Sequence, residues 1–511
     1  MQLNYKMRKY ILLIFCLILA CCQLFAQNTD STSADSTKIY KKKVLETTEV
    51  DVLMSLYNQE GVHSPVNGGI GTEQLEDRAA NIIINTPLNG DDVLTIDLGI
   101  SAYTSASSSN INPFVSSSSQ LKNVWVGNAT GASKGGGGGV INTGGGGTPV
   151  PQNAINPVGT PWLTSTGASH SDANKALHVN YAHSSNDRNS LWGTNVSVSN
   201  EFDYTSLGFG GNLTKLMNEK NTEIGLKGSV YLDQWRPIYP TELKEYQRIG
   251  PAFQNFGYFQ GVTILDQMGK ASVNYLPNKF VPWTENGRNS FTLSFYASQI
   301  ISSRLQGALF FDLVVQQGML STPYQRVYFS DKPNYYIGTA NDIKYYTSPL
   351  NHGVYQLADN IEVLPTSRFK LPLGGRMSYY INENFVFRGY YRFYTDDWGL
   401  KANTLNFDLP IKMSQAFSIT PSYRYYSQNQ VDYFAPYEMH KSTEKFFTSD
   451  YDLSKFTSDQ YSVAFNYTQI FNTAKPKHLG FKNANLKFSH YNRSDGLNAN
   501  IVSFGVKFVG N

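Results

Sequence analysis

Beyond position 22 this sequence has no cysteine: Cys16, Cys21 and Cys22 all sit near its start. Once such a leader is removed, neither a disulfide framework nor a cysteine metal site or nucleophile is available. Charge is also scarce, with Asp, Glu, Lys and Arg making up 16% of 511 residues against roughly 25% in ordinary soluble chains. The net charge of +3 and a single basic run, Lys41, Lys42 and Lys43, give no footing for a nucleic-acid partner. Long apolar runs are missing too. After the N-terminus no segment approaches the ~20 consecutive apolar residues of a membrane helix, and the mean hydropathy is −0.33. A helical transporter is thereby excluded. What is abundant is Tyr (34), Phe (30) and Gly (42), the composition expected of tilted strands with interfacial aromatic girdles.

The N-terminus has the layout of a secretory signal peptide. Lys6, Arg8 and Lys9 precede an apolar core from Tyr10 to Ala20, and Leu24-Phe25-Ala26 offers a small residue before Gln27. The expected domains are therefore a signal peptide over 1–26, a polar periplasmic lead over 27–48, and a barrel over 49–511. A competing processing route keeps Cys21 as a lipidated first residue, because Leu19-Ala20-Cys21 loosely resembles a lipoprotein cleavage box.

Period-2 alternation then dominates. From Tyr379 to Gln428, Phe385, Phe387, Tyr391 and Phe393 alternate with Arg388, Tyr390, Arg392 and Tyr394, and Leu405, Phe407, Leu409 and Ile411 alternate with Thr404, Asn406 and Asp408. Such strands, joined by short connections, form an antiparallel meander with one apolar face. Similar patterns start at Val50 and end with Val502, Phe504, Val506 and Phe508, giving about sixteen strands. Parity sorts the connections. The even-numbered ones are turn-like (PLNGDD, SSNDRN, MNEKN, ISSR, INEN, KMSQA, NTAKPKHLG), and every long loop is odd-numbered. This is the asymmetry of an all-β, up-and-down transmembrane barrel with short periplasmic turns and long extracellular loops. A soluble sandwich has no reason to sort its loops this way.

The longest loop, 104–173, is rich in Gly and Ser and cannot bury enough apolar surface to offset its ordering entropy. Its Gly runs lack the Lys-Ser/Thr and the strand-to-helix context of a phosphate loop.

With the apolar positions in lipid, the alternate positions face the lumen. That places Asp51, Asp97, Asp233 and Asp312 inside on earlier strands, and Arg376, Arg388, Arg392, Arg424, Lys487 and Lys507 inside on later ones. Two outcomes stay open. In one, a basic wall faces an acidic one across a channel, orienting anionic or dipolar solutes; in the other, the charges pair and fill the interior. At a short outer hairpin, Asp396 and Asp397 could bind a cation, or supply turn chemistry while Trp398 anchors at the membrane interface.

No catalytic constellation emerges. The histidines, His63, His170, His178, His183, His352, His440, His478 and His490, lack metal-ligand spacing, and His178 and His183 point to opposite faces. His490 lies near Ser489 and Asn492, but neighbours along a strand diverge, and there is no GxSxG or HExxH motif. No enzyme activity, cofactor or metal is expected.

The segments EVDVLMSLYNQEG, GGIGTEQL, SAYTSASSSNI, YRFYTDDWGLKANT, PSYRYYSQ and IVSFGVKF resemble those of an uncharacterised family of outer-membrane barrel proteins from Bacteroidota, defined only as a domain of unknown function. The resemblance runs from about Glu49 to the end and is most specific around Tyr391 to Thr404; the Gly-rich stretch 135–147 is peculiar to this sequence. It implies a barrel and a compartment, the Gram-negative outer membrane, but no substrate and no functional residues. The function expected is a porin-like channel for small hydrophilic solutes. A non-transporting scaffold barrel is the alternative, and a lipid-modifying barrel enzyme a distant third. The expected partners are outer-membrane lipid, periplasmic chaperones and the barrel-assembly machinery. Residues 27–49 leave no room for the plug domain of an energised-uptake receptor.

Overall fold

A computed structural model describes residues 43–105, 172–201, 203–255, 259–277, 279–347, 354–469 and 479–510. The leader and most of the Gly/Ser-rich segment lie outside the described residues. Sixteen antiparallel strands close into one barrel. They are β1 (Glu49–Glu60), β2 (Leu75–Pro87), β3 (Asp92–Ser105), β4 (Asp172–Ser184), β5 (Ser190–Asn200) and β6 (Tyr204–Met217). β7 (Thr222–Trp235), β8 (Gly287–Ser302), β9 (Leu305–Gly318), β10 (Ser367–Tyr380) and β11 (Val386–Asp396) follow. Next is β12, whose two pieces, Lys401–Asp408 and Ile411–Lys412, flank Pro410, a residue with no N–H for the ladder. β13 (Phe417–Gln428), β14 (Phe456–Thr468), β15 (Leu479–Arg493) and β16 (Asn498–Gly510) complete the wall. Closure is made by β1 against β16, in register from Glu49↔Val509 to Glu60↔Asn498.

The even connections are tight where described, because their residues cap themselves; of the last, NTAKPKHLG, residues 472–478 lie outside the described residues. Asn89 Oδ1 accepts from the backbone N–H groups of Asp91 (2.8 Å) and Asp92 (2.9 Å), and Asn382 Oδ1 accepts from those of Asn384 and Phe385 (both 3.0 Å). Asn218, Glu219 and Lys220 turn the chain through left-handed backbone conformations. These turns form one rim, here the turn rim. The polar lead reaches the same rim, where the Val44 N–H donates to Gly90 O at 3.0 Å.

Register assigns the outer face. Phe407 is level with Gly389 and Tyr423, Tyr423 with Tyr461, and Phe488 with Val502 and Val463. Leu309, Tyr461 and Phe504 are 70%, 60% and 44% exposed. An apolar belt exposed on strand after strand is stable only with hydrocarbon as its solvent. The small-residue positions between, such as Ser503, Gly505, Asn406 and Ser462, point inward.

The protein core lies in the loops. The described residues of connections 61–74, 236–286, 319–366 and 429–455 fold together into a cap at the other, loop rim, and most of the buried hydrophobic side chains belong to it. Phe253, Phe259, Ile264, Tyr275, Ile337 and Leu357 make one cluster, and Leu243, Tyr328, Ala358 and Ile361 another. Inside 236–286 a helix, α1 (Thr241–Ile249), starts after Pro240 with Glu242 in its first turn, where a carboxylate complements the helix dipole. It stops at Gly250, whose φ of 77° suits glycine. Glu242 and Arg326 form a buried ion pair. Arg326 Nε donates to Glu242 Oε1 at 2.9 Å and Arg326 Nη1 donates to Val66 O at 3.3 Å, so one guanidinium ties three connections together. Glu242 also accepts from the Ala358 N–H at 3.2 Å.

Two outcomes follow from this division. Phe407→Arg, in the apolar belt, is expected to cost about 2–4 kcal/mol and to impair insertion, whereas Asn406→Arg, facing inward, inserts normally. Urea unfolding in lipid vesicles measures both, and the reverse order would mean that the faces are assigned the wrong way round. Arg326→Met leaves Glu242 buried without its partner, a change of about 3–5 kcal/mol. Connection 236–286 should then become protease-sensitive while the barrel keeps its strand circular dichroism; unchanged cleavage would show that the pair does not hold the cap.

Candidate functional site

The inward positions of the barrel wall divide into paired and unpaired charges. Asp51 lies 3.2 Å from Lys507 Nζ, which also reaches Glu49 at 2.9 Å. Asp233 accepts from Arg288 Nε at 2.8 Å and from the Ser206 hydroxyl at 2.7 Å. Asp97 accepts from Asn81 Nδ2 at 3.1 Å. Asp97 itself, like Asp312, Arg376, Arg388, Arg392, Arg424 and Lys487, has no ion pair among the described residues. The four arginines lie on β10 (Arg376), β11 (Arg388 and Arg392) and β13 (Arg424), and Arg376, Arg388 and Arg424 are exposed although they point inward. Arg392 Nε is buried and lacks an acceptor.

The hairpin between β11 and β12 corrects one expectation. Trp398 does not face the membrane interface: it is 3% exposed and packs with Leu364, Leu400, Ala402 and Val431 beneath the cap. Its indole N–H donates to Ser367 O at 3.0 Å, and the Arg368 guanidinium lies 4.2 Å from its ring centre. The indole turns inward because the cap supplies an apolar pocket and a carbonyl acceptor there. Asp396 accepts from the N–H groups of Trp398 and Leu400 (both 3.0 Å) and from Arg368 Nε (2.8 Å). Asp397 accepts from the Phe369 N–H at 2.9 Å. Both carboxylates are thus engaged in turn and strand contacts, and among the described residues no cluster of three metal-ligating side chains occurs.

Between the cap and the wall lies a cavity of about 580 Å³. Its wall side is built by Tyr57, Tyr103, Gln460, Tyr491 and Ile501, all at inward positions near the loop rim, and its cap side by Val66, Glu73, Gln325, Asp450 and Asp452. The cap is held against this wall by Arg493, whose Nη1 donates to Asp452 Oδ1 at 2.5 Å and whose Nη2 donates to Tyr451 O at 2.9 Å.

Cap carboxyl groups near the cavity are hard to ionise. Burial pushes Glu362 up to about 8, with the nearby Asp450 charge adding to the shift. Glu362 nevertheless accepts from the Thr448 hydroxyl (2.5 Å) and the Thr322 N–H (2.7 Å), joining connections 319–366 and 429–455. Burial likewise raises Glu73 to about 7, Asp359 to about 7 and Asp450 to about 6. Arg326 shows the opposite balance: burial opposes its charge, but the Glu242 carboxylate holds it above its ordinary value.

Two of the described histidines make structural contacts. His440 is buried, its ring nitrogens set against Glu444 (2.7 Å) and Thr448 O (2.9 Å). His490 pairs with Asn500 (2.9 Å), while Ser489, on the opposite face, bonds Ser462 at 2.8 Å. Reasoning from sequence missed Glu242, Arg326, Glu362 and Asp450. Their signal was the density of aromatic residues in the connections, as in PAFQNF and KPNYYIG, which is more than a solvated loop needs.

Among solved structures the chain is similar to a bacterial polysaccharide outer membrane secretin, at 8% identity and a TM-score of 0.39, covering 91% of this chain and 99% of the other. A BenF-like porin from Pseudomonas fluorescens Pf-5 gives 7% identity, a TM-score of 0.36 and coverage of 91% and 98%. The outer membrane protein opdK from Pseudomonas aeruginosa gives 7%, 0.33, and coverage of 91% and 99%. No curated protein matches the chain. The profile of the family described as "Protein of unknown function (DUF3570)" matches residues 15–494, and the chain belongs to that family.

Proposed function

We propose that this protein is an outer-membrane channel for small hydrophilic solutes, with its loop rim narrowed by a folded cap. The observation that carries this reading is the group of exposed, inward-pointing arginines with no ion pair, Arg376, Arg388 and Arg424. A guanidinium without a counter-charge is tolerated only where water solvates it, so the interior these side chains line is wet. Sixteen strands are wide enough to leave such an aqueous interior. Solutes would pass the cap through the gap lined by Tyr57, Tyr103 and Tyr491. The same reading implies export through a cleaved leader, delivery by periplasmic chaperones to the barrel-assembly machinery, and turns on the periplasmic side.

Planar-bilayer recording of detergent-refolded protein tests the proposal. Stable ohmic steps are expected, and silence from protein with intact barrel circular dichroism would favour a scaffold role.

The cap adds a pH dependence whose sign is fixed. Glu362, Asp359 and Glu73 have folded-state values of about 8, 7 and 7, above their values in an unfolded cap. The folded cap therefore binds more protons than the opened one. Their contribution to cap stability is fully present below about pH 4, the range of free carboxyl groups, and is lost as pH rises through about 7 to 8. Amide hydrogen exchange in connections 319–366 and 429–455 is expected to quicken between pH 5 and about pH 9 beyond its intrinsic base catalysis. Glu362→Gln should remove much of that excess; an excess unaltered by the substitution would show that Glu362 does not control the cap.

A further inference from the structure

Among the described residues about half of the arginines are matched to a carboxylate. Arg188 pairs with Asp91, Arg248 with Glu245, Arg288 with Asp233, Arg326 with Glu242, Arg368 with Asp396, and Arg493 with Asp452 and Asp495. On the barrel strands the unmatched ones are Arg376, Arg388, Arg392 and Arg424, all on β10 to β13 and all directed into the lumen.

We infer that this arginine wall is a binding track for small organic oxyanions, with carboxylate or phosphate as the group recognised. The register spaces the guanidinium groups along the path. Arg388 lies toward the turn rim, level with Ser378 and Asp408; Arg376 is level with Tyr390; Arg424 is level with Asn406; and Arg392 is level with Thr404, nearer the cap. Lys370 continues the series upward, across from Asp396. The carboxylates on this wall that lack an ion pair are Asp312 and Asp408, so positive charge is in excess. A guanidinium presents two parallel N–H donors that match a carboxylate or phosphate edge, and those of Arg376, Arg388 and Arg424 are exposed on the inward face. Several sites in sequence allow an anion to be bound at each step and passed on, where one deep site would trap it. Elsewhere in the lumen Asp51 and Asp233 are already neutralised by Lys507 and Arg288, so they do not cancel the field of this wall.

The inference deepens the channel reading, but its binding step does not depend on conduction. In bilayers under a potassium chloride gradient, the wild-type permeability ratio of chloride to potassium should exceed one, on the order of tenfold given the focusing of charge in a low-dielectric cleft. Citrate should block the current transiently. Replacing Arg376, Arg388, Arg392 and Arg424 together by Gln should bring the ratio to one or below and abolish the block, whereas the four Lys replacements should keep the ratio and weaken the block. Should the fourfold Gln variant fail to form a barrel by circular dichroism, Arg392→Gln and Arg424→Gln singly should each lower the ratio. A ratio of one or less in the wild type, or a ratio that the Gln substitutions leave unchanged, would overturn the inference. Equilibrium dialysis of radiolabelled citrate and of inorganic phosphate against the detergent-solubilised protein separates the two readings. Binding that is lost in the Gln variants, from protein that carries no current, supports the arginine track and sinks the channel. Absence of binding by either anion sinks the track, and the anion that binds identifies the group recognised.

Discussion

Hydrocarbon neither donates nor accepts hydrogen bonds, so every backbone N–H and C=O of the wall must find its partner within the protein. The pairing of β1 with β16 meets that demand for the last free edge. Closure requires an even number of antiparallel strands in a chain that begins and ends on the same rim, and it thereby sorts the connections by parity. It sorts the side chains as well. Because Phe407, Tyr461, Leu309 and their neighbours face outward, the wall has little apolar surface left to bury against itself. A protein core, if one forms, has to be built from the connections.

That is where it is found, and the cap obeys the rules of a water-soluble domain rather than those of the wall. Its clusters exclude water, and its buried charged groups Arg326 and Glu362 are matched. Arg326 is bonded to Glu242 and Val66 O, and Glu362 is bonded to the Thr448 hydroxyl and the Thr322 N–H. The two buried carboxyl groups differ in one respect. Glu242 has a guanidinium against it and can carry its charge; Glu362 has only neutral donors and a neighbouring acid, Asp450, and burial holds its proton on. One is a permanent tie and the other a tie that depends on pH. A structure pinned by both kinds can loosen part of its cap without losing the connection between 236–286 and 319–366.

The wall was legible in the sequence because its determinants are local. Alternation such as Val502, Phe504, Val506, Phe508, together with turn residues such as Asn89-Gly90, specifies a strand and its reversal within a dozen residues. The cap was not legible, because its determinants are remote: the Arg326–Val66 bond joins residues 260 positions apart, and the Tyr and Phe residues of the connections follow no period. Trp398 illustrates the boundary. Its place at a rim hairpin follows from the turn pattern, but the direction of its ring depends on Leu364 and Val431, which arrive from two other connections. Likewise alternation could mark Asp233 and Arg392 as inward without telling that Arg288 would neutralise one while the other would have no acid beside it.

The distribution of paired charges has its own logic. Glu49, Asp51, Lys507 and Lys482 bond across the seam where the two chain ends meet, with Lys482 Nζ 2.8 Å and Lys507 Nζ 2.9 Å from Glu49. Arg288 and Asp233 bind β7 to β8 at the mouth of the longest described connection, and Arg368 and Asp396 bind β10 to β11 beneath the cap. Ion pairs therefore occur where neighbouring strands are held together at the seam or beside a long loop, and between neighbouring turns as in Arg188–Asp91. Strands β10 to β13 away from their ends have no such requirement, since their register is set by ladder bonds and by the apolar belt. Arginine there adds nothing to the holding of the wall that glutamine or serine would not, and water must solvate the exposed guanidinium groups of Arg376, Arg388 and Arg424 in place of a carboxylate. Four of them, one on β10, two on β11 and one on β13, all on the same face, are a feature of the lumen and not of the fold.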